Sequence, residues 1–301
     1  QKGLKNRHAE EWELGTDLRF FDNRIGLDLS YYNKVSSNEI FNLPVARESG
    51  VTSRIVNGGK IRNRGIELIL RATPVLTNSF EWTTLFNFTR NRNTVLELVE
   101  GVTSQQLSLA FGADVYSVAK PGTEYATIET SYAYATYQKK DAGGNPVDHP
   151  SNGQRVIGAV GASHLTYLRS GAYGQGAKEL GTAMEKFLLS NINTFTYKNF
   201  SLNVQLDSKI GGLMASATHQ YGSSSGSLEN SLFGRNAEHG GVQFTDANGD
   251  TRDDGIVPDG VLADGIKSII DADLDLGGMT YADAVAQGHL RPIPARNYYE
   301  N

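Results

Sequence analysis

The chain has 301 residues, of which 39% are hydrophobic and 33 are glycine, and its formal net charge at pH 7 is −5. The negative balance argues against a non-specific nucleic-acid binder, which usually carries a basic excess. The sequence contains no cysteine, so disulfides, thiolate metal sites and cysteine nucleophiles are excluded. An apolar run of about 18 residues, as a membrane-spanning helix needs, is also missing.

Three pairs of segments alternate apolar and polar residues with a period of two, and this pattern predicts β-hairpins. Each pair flanks a short segment rich in turn-forming residues. The three pairs are residues 12–20 and 25–31 around Asp22-Asn23, residues 66–72 and 80–88 around Thr77–Ser79, and residues 195–197 and 200–206 around Lys198-Asn199.

We expect each strand that contains one of these segments to run for about ten residues or more, which is enough for a tilted strand to cross a bilayer. Ordinary strands average about five to six residues. The other connections are long, namely residues 36–58, 92–187 and 210–301. Short turns on one side and long loops on the other are typical of outer-membrane β-barrels. The alternative is a soluble β protein whose aromatic residues belong to an ordinary core.

The alternation also predicts which side chains share a face of the sheet. One set should contact lipid, and it comprises Trp12, Leu18, Leu29, Leu68, Leu70, Phe86 and Val204. The other set should face the lumen, and it comprises Glu13, Asp17, Asp28, Arg71, Asn87 and Gln205. Aromatic residues flank every short turn, as in an interfacial aromatic girdle.

Three basic residues, Lys60, Arg62 and Arg64, have the same parity as the apolar Ile66 and Leu68. Counted from the turn at Thr77–Ser79, they would lie at the outer rim, where they could meet lipopolysaccharide phosphates. Two alternatives are a solvated rim and a β-bulge at Gly65, since one extra residue inverts the face.

The long loops contain local signals of order. Thr280 and Asp283 have the spacing of a helical capping pair, which predicts a short helix at residues 282–287. A group of tyrosines could stack on sugar rings, line a peptide cleft or form the core of a folded loop; its members are Tyr125, Tyr132, Tyr134 and Tyr137.

A calcium site is predicted in the last loop, at Asp246, Asn248, Asp250 and Asp254. Their oxygens lie at the first, third, fifth and ninth positions of an EF-hand-like loop. The sixth position is Thr251 instead of glycine, and the closing bidentate glutamate is replaced by a valine. The alternative is a surface turn, which aspartate, asparagine and glycine also favour.

No enzyme active site is predicted. The sequence lacks a His-Glu-x-x-His motif, a Gly-x-Ser-x-Gly elbow and a phosphate-binding P-loop. Its histidines are scattered, at His8, His149, His164, His219, His239 and His289.

Several segments resemble SusC/RagA-type TonB-dependent transporters. Residues 10–20 (EEWELGTDLRF) resemble the family's "sWEiGaDlrF", and residues 57–68 (NGGKIRNRGIEL) resemble "NaGeiqNkGiEl", the most specific match. Residues 29–34 (LSYYNK), 80–88 (FEWTTLFNF) and 197–202 (YKNFSL) are similar to three further family segments, in family order. The likeness extends from about residue 6 to residue 212.

The resemblance implies an all-β fold, with about six strands of a 22-stranded transmembrane antiparallel barrel and long extracellular loops. Residues 1–301 would form a C-terminal-half section of that barrel, without the plug domain and the last strands. The implied function is TonB-dependent import of oligosaccharides or peptides across the outer membrane of a Gram-negative bacterium. The implied partners are a SusD-like surface lipoprotein, TonB through the N-terminal part, outer-membrane lipid with lipopolysaccharide, and the substrate, with no nucleic acid. The competing function is a passive porin-like or structural barrel.

Overall fold

The computed structural model describes residues 4–44, 50–110, 114–160 and 164–299. The chain is all-β, with 50% strand and 9% helix. The first strands are β1 (His8–Phe20), β2 (Ile25–Ser37), β3 (Ile40–Pro44), β4 (Ser53–Asn57), β5 (Lys60–Leu76), β6 (Phe80–Glu97), β7 (Gln105–Ala110), β8 (Val115–Ala119) and β9 (Thr127–Thr130). The later strands are β10 (Val156–Val160), β11 (His164–Tyr167), β12 (Lys178–Thr182), β13 (Phe187–Tyr197), β14 (Phe200–Ile210), β15 (Val242–Thr245), β16 (Thr251–Ile256), β17 (Val261–Leu262) and β18 (Ile293–Pro294).

Three α-helices are described, α1 (Ala217–Ser224), α2 (Tyr281–Ala286) and α3 (Ala295–Tyr299), with short 3₁₀ turns at Glu229–Ser231 and Ala237–His239. Among the described residues, none of the helices has the length and apolar character needed to cross a bilayer. The predicted helix near Thr280 is confirmed as α2. Its first turn is capped by the Thr280 hydroxyl, which accepts a hydrogen bond of 3.1 Å from the Asp283 backbone N–H.

The chain divides into two compact units. The first, which we call the sheet unit, comprises Gln1–Glu129 and Glu179–Met214. The second, which we call the loop unit, comprises Thr130–Lys178 and Ala215–Asn301. The loop unit is therefore built from two segments that are far apart in the sequence.

The sheet unit is dominated by a six-stranded antiparallel sheet in the order β1-β2-β5-β6-β13-β14. Its strands are 11 to 18 residues long. The three predicted hairpins are confirmed as β1–β2, β5–β6 and β13–β14. Their turns lie at one end of the sheet, and the long connections leave from the other end. Two of these connections add smaller sheets, the hairpin β3–β4 and the four-stranded sheet β12-β9-β8-β7.

The turn between β1 and β2 shows why polar residues stand at these positions. Asp22 and Asn23 have left-handed backbone angles, with φ of 51° and 66°. Asparagine and aspartate tolerate this conformation better than most other residues. Lys198, in the turn between β13 and β14, has a φ of 53°.

The alternative of a β-bulge at Gly65 is wrong. The pairing of β5 runs one for one through Gly65 with both neighbours, opposite Tyr32 on β2 and Asn91 on β6. The two irregularities of β5 lie elsewhere, between Lys60 and Ile61 and between Ala72 and Val75. Gly65 serves another purpose. A Cβ there would collide with the Tyr32 hydroxyl and would lie 2.6 Å from the Arg90 carbonyl oxygen.

The loop unit has its own hydrophobic core. Strand β10 pairs with β11 and, in parallel, with β17, so that Val156 lies opposite Val261 and Ile157 opposite Leu262. A second sheet has the order β15-β16-β18. The main core cluster combines residues of both segments, namely Ile157, Leu262, Leu276, Tyr281, Ala284, Leu290 and Ile293.

Polar bonds join the two segments of the loop unit as well. The Ser151 hydroxyl donates a 2.6 Å hydrogen bond to the Gly278 carbonyl oxygen. The Tyr137 hydroxyl donates one of 2.8 Å to Asp264. The long segments after β6 and after β14 therefore do not form independent loops, because residues 130–178 and 215–301 share one core.

Candidate functional site

One face of the six-stranded sheet is mainly apolar in all six strands. Residues that lie directly opposite each other in neighbouring strands share a face, so the pairing traces this surface. One row runs through Thr16, Leu29, Leu68, Phe88, Leu189 and Ser208, and the next through Leu18, Leu27, Leu70, Phe86, Asn191 and Leu206. The seven residues that were predicted to contact lipid all lie on this face.

Aromatic side chains concentrate at the short-turn end of the apolar face. Phe80, Tyr197 and Phe200 lie side by side in one row. In the next row the rings of Trp82 and Phe195 stack with their centroids 5.7 Å apart. This arrangement matches the predicted aromatic girdle, which outer-membrane strands place at the membrane interface.

The opposite face of the sheet is polar. The six residues that were predicted to face the lumen lie there, and some form ion pairs. Arg19 contacts Asp17 at 2.6 Å, and Arg71 pairs with Asp28 from the neighbouring strand. The Asn203 amide donates a 2.9 Å hydrogen bond to the Thr194 hydroxyl. Such side chains suit a surface that faces water inside a barrel.

The rim of the apolar face, at the end away from the short turns, is basic. Arg62 and Arg64 on β5 share the face with Leu68, because the pairing passes through Gly65 without a shift. Strand β6 adds Arg90 opposite Ile66 and Arg92 opposite Arg64. We call Arg62, Arg64, Arg90 and Arg92 the rim arginines. Arg90 and Arg92 were not predicted to belong to this rim. Their alternation with Phe86 and Phe88 along β6 would have placed them on the apolar face.

A cavity of 520 Å³ adjoins the rim arginines between β6 and the start of β13. Arg90, Arg92 and Lys186 line it together with Glu124 and Glu185. Arg92 forms an ion pair of 2.8 Å with Glu124. The mixed charges suit the binding of polar groups.

The tyrosines that were predicted to bind substrate or to form a loop core differ in their exposure. Tyr137 is fully buried, and burial, followed by its hydrogen bond to Asp264, raises its pKa to about 12. Tyr132 and Tyr134 are exposed. The remaining member, Tyr125, belongs to the sheet unit.

Each of the two exposed tyrosines has an arginine guanidinium group over its ring. The Arg169 guanidinium lies 3.8 Å from the centre of the Tyr132 ring, and that of Arg155 lies 4.6 Å from the Tyr134 ring. The Tyr134 ring also contacts Tyr167, with centroids 4.9 Å apart. This surface combines aromatic faces with positive charge, and aromatic residues and arginine are enriched at protein interfaces. These pairs have no local signal in the sequence, because the tyrosine and the arginine of each pair lie far apart along the chain.

Two of the four predicted calcium ligands, Asp246 and Asp254, have hydrogen-bond partners within the loop. The Asp246 carboxylate accepts hydrogen bonds from the backbone N–H groups of Asn248 and Asp250, at 2.8 and 3.1 Å. Asp254 binds the Arg252 guanidinium through both carboxylate oxygens, and this pairing holds the pKa of Asp254 below its usual value. Among the described residues, no three histidine, aspartate or glutamate side chains form a group that could hold a metal. Calcium binding at this loop stays a prediction, for which calcium-dependent thermal stability of the full-length protein would be the test.

A sheet of long antiparallel strands with one apolar and one polar face, short turns at one end and long loops at the other defines the class of outer-membrane β-barrel proteins. The family model described as "TonB dependent receptor-like, beta-barrel" matches residues 1–207, and the chain belongs to this family. The resemblance to SusC/RagA-type transporters is confirmed. The location of the chain is the outer membrane of a Gram-negative bacterium.

Two curated relatives are receptors of this kind. The chain is 27% identical over 223 residues to TonB-dependent receptor P3 of Formosa agariphila, covering 69% of this chain and 21% of the relative. It is 24% identical over 153 residues to TonB-dependent receptor SusC of Bacteroides thetaiotaomicron, covering 49% of this chain and 15% of the relative.

A similar fold occurs in the solved structure of the RagAB peptide transporter. The match has a TM-score of 0.54 at 17% identity, and it covers 72% of this chain and 22% of that chain. The chain therefore spans about a fifth of the length of TonB-dependent receptor P3 and of the matched chain of the RagAB peptide transporter.

Proposed function

We propose that the chain supplies part of the wall and the outer loops of a TonB-dependent importer, which takes up oligosaccharides or peptides through the outer membrane. The observation that carries this proposal is the apolar face that continues across six long strands while the opposite face is polar. A lipid-exposed wall that encloses an aqueous path needs this arrangement. The names of the relatives, a TonB-dependent receptor and a peptide transporter, support TonB-dependent import over passive diffusion.

The proposal includes a closed 22-stranded barrel in the complete protein. Edge strands in a bilayer would leave backbone N–H and C=O groups unpaired, at several kcal/mol each. Within the described residues, β1 pairs only with β2, and β14 pairs only with β13. Both therefore have an edge that further strands would cover. TonB would act through the N-terminal part of the complete protein.

We further propose that the loop unit contacts a SusD-like surface lipoprotein. Support comes from its folded core, which draws on both long connections, and from the exposed tyrosines and arginines on its surface. Long connections are usually either functional or disordered, and the shared core of the loop unit indicates that these are functional.

Uptake measurements would test the importer hypothesis. Cells that express the full-length protein should take up a labelled oligosaccharide or peptide only when TonB is present and the inner membrane is energised. The competing porin-like barrel would let the same solutes enter cells that lack TonB. TonB-independent uptake of the same size would therefore refute active import.

Co-purification would test the partner hypothesis. The full-length protein from native membranes should bring down a lipoprotein. Replacing residues 130–178 and 215–301 with short linkers should release this partner while the barrel remains heat-modifiable on gels. As a control, the hairpin β3–β4 can be replaced instead, and the partner should stay bound. Retention of the lipoprotein after loss of the loop unit would move the interface to other parts of the protein.

A further inference from the structure

The rim arginines are an unusual feature of an otherwise apolar surface. Their rows follow directly on the last apolar row, which contains Leu68 and Phe88. The next row pairs Ile66 with Arg90, the one after it pairs Arg64 with Arg92, and Arg62 follows opposite Thr94. Four guanidinium groups thus lie within three rows of two neighbouring strands.

Their electrostatics calls for a negative partner. Arg64 and Arg92 are directly opposite each other, and like charges in that position destabilise a sheet. Glu124 neutralises Arg92 alone. Within the described part of the chain, Arg62, Arg64 and Arg90 have no ion pair, and the Nε atom of Arg62 is buried without a hydrogen-bond partner.

Carboxylates on the neighbouring strands do not compensate. On β6, Glu97 lies opposite Lys60 and forms an ion pair with it at 2.9 Å. The nearest strand-borne carboxylate on the same face of β1 is that of Glu10, which is opposite Val35 of β2. Since β2 separates β1 from β5, Glu10 is two strands away from Arg62, and it contacts His8 instead, at 3.3 Å. The four arginines and Glu124 therefore leave a net positive patch.

The position of this patch along the strands indicates which medium it meets. A strand tilted by about 45° gains about 2.3 Å of height per residue, so an apolar band of about 25 Å takes ten or eleven residues. Counted from the short turn after Leu76, the rim arginines begin at the far edge of this band. Short turns of such proteins face the periplasm, so that edge lies at the headgroups of the outer leaflet.

We propose that the rim arginines bind the phosphate groups of outer-leaflet lipid headgroups. The planar guanidinium group offers paired N–H donors that match phosphate oxygens in a bidentate geometry. A phosphate between Arg64 and Arg92 would turn their mutual repulsion into two favourable contacts. The inference rests on the membrane orientation of the proposed function but not on transport itself.

The test uses the full-length protein, purified in mild detergent and mixed with diphosphorylated lipid A or with the same lipid after removal of both phosphates. Native mass spectrometry counts the lipids that stay bound. The wild-type protein should retain the phosphorylated lipid at least tenfold more than the dephosphorylated one. A variant with Arg62→Gln, Arg64→Gln and Arg90→Gln should lose this preference, while Arg92 stays to pair with Glu124.

The matched control is Lys209→Gln, which removes a positive charge at the same end of the sheet but on the polar face, opposite Leu188. It should retain the phosphorylated lipid as the wild type does. Equal retention of the two lipids by the wild-type protein would overturn the proposal and leave the patch as a solvated rim. This comparison needs no variant, so it stands even if the triple variant does not fold. Because lipid retention is measured without substrate, a failure of active import would show in the uptake experiment and not here.

Discussion

The sheet and the loop unit expose their apolar side chains in opposite ways. In the sheet, large side chains such as Leu14 and Phe200 are 74% and 77% exposed. In the loop unit, Ile157 and Leu262 are completely buried. Extended apolar surface in water is unfavourable, and large patches of it mark contact with another apolar phase. The difference supports the proposal that the sheet contacts lipid and the loop unit contacts water.

The largest expected effect concerns the sheet as a whole. Residues 1–301 expressed alone should not form a stable membrane species, because β1 and β14 would each expose an unpaired edge to hydrocarbon. Refolding in detergent followed by unheated gel electrophoresis measures this. A monomeric, heat-resistant β-species would show that the sheet does not need neighbouring strands.

The sheet could be predicted from the sequence because a period of two over ten residues is a local signal. Segments 12–20 and 80–88 alternate clearly, and the register follows once the short turns are fixed. The loop unit could not be predicted in this way. Its core depends on the parallel pairing of Val156 with Val261, and neither segment carries a local sign of such a distant partner.

The roles of Gly65 and Asp246 could not be predicted from the neighbouring sequence alone. A glycine in a strand can signal a bulge or a close contact, and only the Tyr32 ring above Gly65 decides between them. The spacing of acidic residues after Asp246 fits both a cation loop and a turn. The positions of Arg252 and of the backbone N–H groups could not be read from the spacing.

A charge on the apolar face should have the next largest effect. Leu70→Arg would place a guanidinium near the bilayer centre, which costs about 2–4 kcal/mol. The folded fraction in the outer membrane, read from heat-modifiable mobility, should fall strongly. The matched control is Asn87→Arg on the polar face of the neighbouring strand, which should assemble normally. If the two variants behaved in the reverse order, the faces would be assigned wrongly.

The loop unit should respond to a loss of core volume instead. Leu262→Ala should cost about 2–5 kcal/mol, the usual range for truncating a buried leucine. Limited proteolysis of the full-length protein should then cut in both 130–178 and 215–301, because the two segments share the core. Ile270→Ala serves as a control, since its side chain is 67% exposed. Cleavage confined to the mutated segment would mean that the segments fold independently.

A smaller effect is expected at Asp264. Burial alone would raise its pKa, but hydrogen bonds from Tyr137 and Lys139 outweigh burial and hold the pKa below its ordinary value. A carboxylate with a lowered pKa contributes stability above its unfolded-state pKa of about 3.9, and this contribution is lost as the pH falls through the folded-state value.

Asp264→Asn should therefore lower the melting temperature of the loop unit at pH 7, and the difference from the wild type should shrink near about pH 3. Thermal unfolding of the full-length protein at the two pH values measures this change. Asp259→Asn, at an exposed carboxylate outside the cluster, should have little effect at either pH. A difference between Asp264→Asn and the wild type that did not depend on pH would assign the loss to geometry and not to charge.

The apolar face of the sheet should meet lipid, and the polar face should meet water. Single cysteines at Phe86, Asn87 and Phe88, in full-length protein with no other cysteine, can carry nitroxide labels. In reconstituted membranes, labels at Phe86 and Phe88 should collide mostly with oxygen, which concentrates in lipid. The label at Asn87 should collide mostly with a water-soluble nickel chelate. The opposite alternation, or none at all, would show that the apolar face does not contact lipid.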